Sequence, residues 1–208
     1  MDLQARLTDF AMNGAGWVMW LLVGLSIIGF AIATERAIAL YRSRDQVGAL
    51  GADMMRLLRL GDVAAAKARL ARSPSYEARV VAAGLDQAAA GPKAAEETMT
   101  GAAQLARLQM EKRLTFLGTL GANAPFVGLL GTVIGIIRAF AMLDQSAGKV
   151  TSGLMSEVGE ALVATAIGIL VALPAVAFFN AFQRVIKARL ARADALGREL
   201  LAQLHAIA

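Results

Sequence analysis

The stretch "GLLGTVIGIIRAF", residues 128–140, is apolar enough to cross a membrane, yet it carries three glycines, a threonine and an arginine. A helix that faces only lipid does not need glycine. Small residues in a membrane helix let another backbone approach closely, because packing rather than hydrophobicity drives helix association there. The stretch therefore predicts a close backbone contact at Gly128, Gly131 and Gly135, with the hydroxyl of Thr132 beside it.

The composition of the 208-residue chain is that of a membrane protein. Hydrophobic residues make up 57% of it, whereas soluble domains are about 45–50% apolar. The sequence contains no cysteine, which excludes disulfides and cysteine-based metal or redox sites. His205 is the single histidine. Because a zinc site needs three or four ligands, we interpret His205 as a solvated tail residue and expect no metal or cofactor.

Three windows are long enough to cross the membrane, since about 20 helical residues span about 30 Å of hydrocarbon. They are residues 16–33, 116–143 and 161–182, and each ends in polar or charged residues. The sequence therefore predicts an all-α membrane protein with three transmembrane helices. It also predicts a large helical cytoplasmic loop and long helices that extend from the membrane into the cytoplasm.

The first window has an alternative interpretation as a secretory signal peptide, because "AIA" at 31–33 resembles a cleavage site. Such peptides begin with a positively charged region. Here Asp2, Arg6 and Asp9 give a formal charge of −1, which favours a retained transmembrane helix.

The distribution of basic residues predicts the topology. Residues 41–115 carry twelve lysines and arginines and the tail after the third window carries five, whereas Lys149 is the only one between the second and third windows. Because cytoplasmic loops are enriched in Lys and Arg, the long loop and the tail are expected in the cytoplasm and the N-terminus outside. Topology thus accounts for the net charge of +5, and we expect no nucleic-acid partner.

The cytoplasmic loop is alanine-rich and is predicted to be helical. Asp62 is expected to cap a helix that ends at "SPS" (73–75), and "GP" (91–92) is expected to break the next one. From Lys93 onward no proline occurs before Pro125, so we predict one long helix that continues into the second span. The loop contains no phosphate-binding loop, HExxH or GxSxG motif, and we expect no enzyme activity.

Small residues form a stripe on each of the last two spans. At 100° per residue, the first stripe falls within an arc of about 80°; it comprises Gly121, Pro125, Gly128, Thr132 and Gly135. The second comprises Ala161, Thr165, Gly168 and Ala172, followed by Pro174, which removes one helix hydrogen bond. Two interpretations stay open: the stripes serve helix packing alone, or they line one narrow, barely polar passage. Likewise, each threonine either bonds its own helix at the i−4 carbonyl or lines that passage.

Charged groups flank the outer ends of these spans. Glu157 and Glu160 lie at the start of the third span, where carboxylates either mark function or complement the helix dipole. Arg138 either extends to the interface or forms an ion pair with one of these glutamates.

The segments "APFVGLLGTVIGIIRAF" (124–140) and "GEALVATAIGILVALPAVAFFNAF" (159–182) together resemble the paired signature of the ExbB/TolQ proton-channel family. "ER" at 35–36, the three spans and the large cytoplasmic loop are similar to the same family. The related MotA type resembles a four-span protein, whereas this sequence shows three spans, so it does not resemble MotA itself.

The resemblance implies a function. It implies that Thr132 and Thr165 line a pore, that Glu160 contributes to the proton pathway, and that protons are the coupling ion. It further implies a pentamer around a single-span ExbD/TolR-type partner. The resulting complex would convert proton-motive force into work on a TonB- or TolA-like protein. Alternatives from other classes are a passive scaffold without ion flux and a solute transporter.

With this resemblance the expected location is the bacterial inner membrane, multi-pass, with a periplasmic N-terminus and a cytoplasmic C-terminus. The predicted segments are a periplasmic N-terminus (1–15), transmembrane helix 1 (16–40), a cytoplasmic helical domain (41–115), transmembrane helix 2 (116–143), a short periplasmic loop (144–157), transmembrane helix 3 (158–183) and a cytoplasmic C-terminal helix (184–208).

Overall fold

A computed structural model describes residues 14, 16–146 and 149–207 of the chain. Within these residues there are helices and short connections and no strand, which confirms the all-α class. The α-helices are α1 Gly16–Arg42, α2 Val47–Arg59, α3 Val63–Ala71, α4 Tyr76–Asp86, α5 Pro92–Glu111, α6 Leu114–Gln145 and α7 Ser152–Ile207, with a 3-10 turn at Ala88–Ala90. The predicted N-terminal segment lies almost wholly outside the described residues.

Three of these helices, α1, α6 and α7, are long and apolar enough to cross a membrane. Their most apolar windows have mean hydropathies of 2.1, 2.1 and 2.5, and only 22%, 28% and 28% of the respective windows is buried within the chain. Most of the surface of each span is therefore available to lipid or to another protein.

The chain divides into two compact units. The first, which we call the span unit, comprises Met1–Ala33 and Arg113–Asn180. The second, which we call the loop unit, comprises Thr34–Lys112 and Ala181–Ala208. The apolar stretch 128–140 thus falls in the first unit, and the charged, alanine-rich helices fall in the second.

The core of the span unit is built from side chains of all three spans. Val18 and Leu22 of α1 are fully buried. They belong to one cluster with Leu120, Ala124, Ile134, Val171, Ala172 and Ala175. All three spans therefore contribute large apolar side chains to this core, and α6 and α7 add alanines.

Local signals in the sequence define the helices of the loop unit. The carboxylate of Asp62 accepts a hydrogen bond from the amide of Ala65 at 2.9 Å, which confirms the predicted cap of α3. Ser75 caps α4 in the same way, through the amide of Ala78 at 3.1 Å. Gly91 adopts a positive φ of 100° directly before Pro92, so the predicted break is present at the start of α5.

The prediction of one continuous helix from Lys93 into the second span is wrong. Helix α5 ends at Glu111 and α6 begins at Leu114, and Arg113 between them is left-handed, with φ of 66°. That conformation costs a non-glycine residue about 1–2 kcal/mol. Met110 and Leu114, on either side of the break, are each 1% exposed, so the chain is packed on both sides of it.

Arg189 joins distant parts of the loop unit. Its guanidinium donates to the hydroxyl of Ser43 and to the carbonyl of Leu40, both at 2.8 Å, and lies 5.9 Å from the ring centre of Tyr76. The residue is 4% exposed, and this burial lowers the pKa of its guanidinium. A buried charge that bonds two parts of the chain fixes the position of α7 within this unit.

We expect Asp62→Ala to destabilise the loop unit by about 1 kcal/mol, because the substitution leaves the amide of Ala65 without its side-chain acceptor. Thermal unfolding of the purified protein, with hydrogen exchange over residues 63–66, measures the effect. Glu97→Ala is the control, because Glu97 is exposed on α5. Equal unfolding midpoints for Asp62→Ala and the unsubstituted protein would contradict the capping role.

Candidate functional site

The backbones of α6 and α7 touch at two glycines. A Cβ atom built on Gly128 would lie 2.8 Å from the carbonyl oxygen of Ala164 and 3.1 Å from the Cα of Gly168. A Cβ on Gly168 would lie 2.7 Å from the carbonyl oxygen of Ala124 and 3.0 Å from the Cα of Gly128. Real side chains almost never come this close to backbone atoms, so both positions require glycine.

The other predicted glycines extend this contact in both directions. A Cβ on Gly135 would lie 2.5 Å from the Cβ of Ala161, and one on Gly131 would lie 2.7 Å from the Cβ of Ala164. At the other end, a Cβ on Gly121 would meet Val176 at 2.5 Å. We call this continuous contact the glycine seam. The two stripes thus pack against each other within one chain, so the glycines themselves do not line an open passage.

The two proline positions lie inside their helices, and neither proline ends its helix. Pro125 is half-buried in α6, and Pro174 is exposed in α7. Pro174 lines an apolar cavity of about 270 Å³ together with Gly29 and Phe178.

The hydroxyls of Thr132 and Thr165 meet at the glycine seam. They lie in hydrogen-bonding contact with each other. Thr132 also lies 3.2 Å from the carbonyl oxygen of Ala161 on α7, and Thr165 lies 3.2 Å from that of Gly128 on α6. The back-bond from Thr132 to Gly128 of its own helix is longer, at 3.4 Å. The shorter hydroxyl contacts therefore run between the two helices.

This hydroxyl pair can exchange hydrogen-bond partners. A threonine hydroxyl has one proton to donate and two lone pairs. Two protons therefore serve three acceptors here, namely two backbone carbonyls and whichever hydroxyl accepts from the other. Both side chains are only half-buried within the chain, so a polar group from outside can also bond them.

The charged residues at the start of the third span have different surroundings. Arg138 forms an ion pair with Glu157, with 3.2 Å between Nη2 and Oε1. Glu160, one turn further along α7, has no ion pair or hydrogen bond among the described residues, and its Oε1 lies 3.4 Å from the position of a Cβ on Gly16. The structure thus places Arg138 on Glu157, and Glu160 has no polar partner among the described residues.

One contact at this end was not predicted from the sequence. Gly14 is buried, with a positive φ of 86°, and a Cβ on it would overlap the guanidinium of Arg138. The signal in the sequence is the pair of glycines in "GAG" at 14–16, which suggests a constraint but not the arginine that imposes it.

Within the described residues there is no group of three or more Asp, Glu or His side chains that could hold a metal ion.

Comparisons with known proteins give a consistent result. Residues 72–195 match the model of the MotA/TolQ/ExbB proton channel family. The chain is 34% identical over 200 residues to the biopolymer transport protein ExbB of Neisseria meningitidis serogroup B, covering 90% of each chain. It is 39% identical over 100 residues to the putative biopolymer transport protein ExbB-like 2 of Helicobacter pylori, covering 48% of this chain and 67% of that one. It is 42% identical over 92 residues to ExbB of Xanthomonas campestris, covering 44% and 36%.

We expect Gly128→Leu to disrupt the packing of α6 on α7, because backbone atoms on the facing helix cannot move aside as a flexible side chain can. Overpacking of this kind typically costs 1–3 kcal/mol or more. The thermal unfolding midpoint and the yield of folded protein in mild detergent measure it. Gly159→Leu is the control, because Gly159 is exposed on α7 and a Cβ there meets nothing within 4 Å. Equal stability of the two variants would contradict the glycine seam.

Proposed function

The chain belongs to the MotA/TolQ/ExbB proton channel family, and from this premise we propose that it is the channel subunit of a proton-driven motor. Its work is to convert proton-motive force into mechanical force on the cell envelope, together with an ExbD/TolR-type single-span partner. The observation that carries the proposal is the half-buried hydroxyl pair of Thr132 and Thr165 at the seam between two membrane helices.

The spans themselves provide little that could carry a proton across the membrane. The sequence has no Asp, Lys or His within 116–143 or 158–183. A carboxyl group on the partner's span supplies the missing group. Burial away from water raises the pKa of such a carboxyl, so that it can load and release a proton near neutral pH. A threonine hydroxyl donates to the charged carboxylate and accepts from the protonated form.

The geometry of the hydroxyl pair suits this task. Each hydroxyl already has an acceptor on the facing helix, so neither is left unsatisfied when the partner carboxyl is elsewhere. When the carboxyl arrives, a hydroxyl can turn toward it and return to its backbone carbonyl afterwards. The cost of an unpaired buried polar group, about 1–3 kcal/mol, is thereby avoided in both states.

Glu160 is the proposed contact of the proton pathway with the outer side. It lies at the start of the third span, half-buried, with no hydrogen bond or ion pair among the described residues. A carboxylate in this position can exchange protons with water outside and with groups deeper in the span unit.

The proposed assembly is a pentamer around the partner, in the bacterial inner membrane, with the N-terminus periplasmic and the C-terminus cytoplasmic. Supporting it is the large unburied share of each span, which leaves surface for neighbouring subunits, the partner and lipid. The receiving protein would be TonB- or TolA-like.

A second candidate is a passive scaffold without ion flux. The observation in its favour is that backbone carbonyls of the facing helix satisfy both hydroxyls. On this hypothesis the threonines serve only to hold α6 and α7 together.

Threonine-to-valine substitutions separate these two functions. Valine keeps the shape of threonine and removes the hydroxyl, which costs about 0.5–1.5 kcal/mol per hydrogen bond. We expect Thr132→Val and Thr165→Val to assemble with the co-expressed single-span partner but to lose proton uptake in vesicles, monitored with a pH-sensitive dye under a potassium diffusion potential. Serine at either position keeps the hydroxyl and should retain most of the uptake. Full uptake in the double valine variant would exclude the threonines from the proton pathway.

Glu160→Gln should abolish or severely reduce the same proton uptake, because the amide cannot take up and release a proton. The variant should still assemble, since Glu160 has no hydrogen bond or ion pair to lose among the described residues. Glu97→Gln on exposed α5 is the matched control and should behave as the unsubstituted protein. Normal uptake in Glu160→Gln would exclude this carboxylate from the pathway.

A further inference from the structure

We propose that Gly14 is a positioning residue for the proton pathway: its bare backbone seats the guanidinium of Arg138 on Glu157 and so keeps it away from Glu160. This inference deepens the proposed function and rests on the role given there to Glu160. It concerns three charged side chains at the outer end of the span unit and the glycine that packs on them.

Two carboxylates compete for one arginine at this place. Glu157 and Glu160 are three residues apart on α7, and residues with this spacing lie about 5–6 Å apart on one helix surface. A long arginine side chain that reaches one of them can reach the other by rotation about its own bonds. The structure contains one of these two arrangements, with Arg138 on Glu157 at 3.2 Å.

Gly14 packs against the guanidinium of Arg138 and can therefore determine whether Arg138 binds Glu157 or Glu160. A Cβ on Gly14 would overlap Nη1 of Arg138 and lie 3.4 Å from its Cζ. Nη2 of the same guanidinium is the atom that contacts Glu157. Any side chain at position 14 therefore displaces the guanidinium whose other nitrogen makes the ion pair.

The backbone of Gly14 reinforces this arrangement. With φ of 86°, it adopts a conformation that glycine takes without strain and alanine does not. Gly16, two residues further, lies beside Glu160, where a Cβ would be in ordinary contact with Oε1 at 3.4 Å. Gly14 thus packs on the guanidinium of Arg138, and Gly16 packs on the carboxylate of Glu160, to which Arg138 is not bound.

The consequence for transport follows from the ion pair. An arginine moved off Glu157 has Glu160 as its neighbouring carboxylate. A carboxylate held in an ion pair is no longer available to the transported proton. Position 14 therefore acts on the pathway through Arg138, without touching the proton itself.

The first test is proton uptake in vesicles that contain the full chain and its co-expressed partner. Gly14→Ala should lower uptake about ten-fold, which corresponds to an interaction of about 1.4 kcal/mol. Glu157→Gln should have the same effect, because it also releases Arg138. Adding Arg138→Gln to either variant should restore uptake to the level of Arg138→Gln alone. If proton uptake stayed low in Gly14→Ala or Glu157→Gln after Arg138→Gln was added, the proposal would be overturned.

Matched controls separate the contact from other effects of replacing a glycine. A Cβ on Gly24 of α1 would meet nothing within 4 Å, so Gly24→Ala should be neutral. Gly61 has a positive φ of 76° and a Cβ there would also meet nothing within 4 Å, so Gly61→Ala measures the effect of backbone strain alone. Asparagine tolerates positive φ better than alanine does, yet its Cβ would still meet Arg138. We therefore expect Gly14→Asn to impair uptake as Gly14→Ala does. Impairment in Gly14→Ala alone would assign the effect to backbone strain and overturn the proposal.

The second test does not depend on transport. The unfolding midpoints of Arg138→Gln, Glu160→Gln and the double variant form a double-mutant cycle, which measures the coupling between these two side chains. We expect negligible coupling in the unsubstituted background and clear coupling in the Gly14→Ala background. Equal coupling in both would overturn the proposal. If vesicles of the unsubstituted protein took up no protons, the proposed function would fail, and this cycle would still decide the role of Gly14.

Discussion

The glycine seam between α6 and α7 is the constraint on which the rest of the span unit depends. Gly128 and Gly168 bring two backbones so close that a Cβ on either one would fall within 3.1 Å of backbone atoms opposite. Only at this separation can the short side chains of Thr132 and Thr165 reach carbonyls of the facing helix. Leu120 and Ile134 of α6 and Val171 of α7 form one core with Val18 and Leu22 of α1. The packing of α6 on α7 and the polar contacts between them thus depend on a few glycines.

The polar groups of the span unit differ in how completely the chain satisfies them. The two threonines and the Arg138–Glu157 pair have partners on neighbouring helices. Glu160 has none among the described residues. An ionisable side chain at a membrane boundary is a candidate for function. Glu157 and Glu160, which share one helix and one chemistry, therefore differ in their surroundings: Glu157 is ion-paired, and Glu160 has no partner among the described residues.

Much of this architecture could be predicted from the sequence, because the signals are local. Hydrophobic length gave three spans, and the 100° rotation per residue placed the glycines on one face of α6. Helix-capping chemistry identified Asp62 as the start of α3. The break at Arg113 could not be predicted, because no glycine or proline marks it. The contact between Gly14 and Arg138 could not be predicted either, because it joins residues far apart in the chain. Whether the two small stripes face each other or a common passage was likewise decided by tertiary packing, which no periodicity reveals.

The sequence distances across these contacts suggest an order of assembly during biosynthesis. The bond from Thr165 to Gly128 joins residues 37 positions apart, whereas the bond from Arg189 to Leu40 joins residues 149 positions apart. Closing a short loop costs less entropy than closing a long one. The hairpin of α6 and α7 can therefore form first, once both helices are inserted. Helix α1 is inserted earliest, and it stays exposed to lipid until this hairpin provides a surface on which it packs. Helix α1 is rich in exposed leucine, isoleucine and tryptophan, and a helix of this composition is stable in the bilayer without a protein partner.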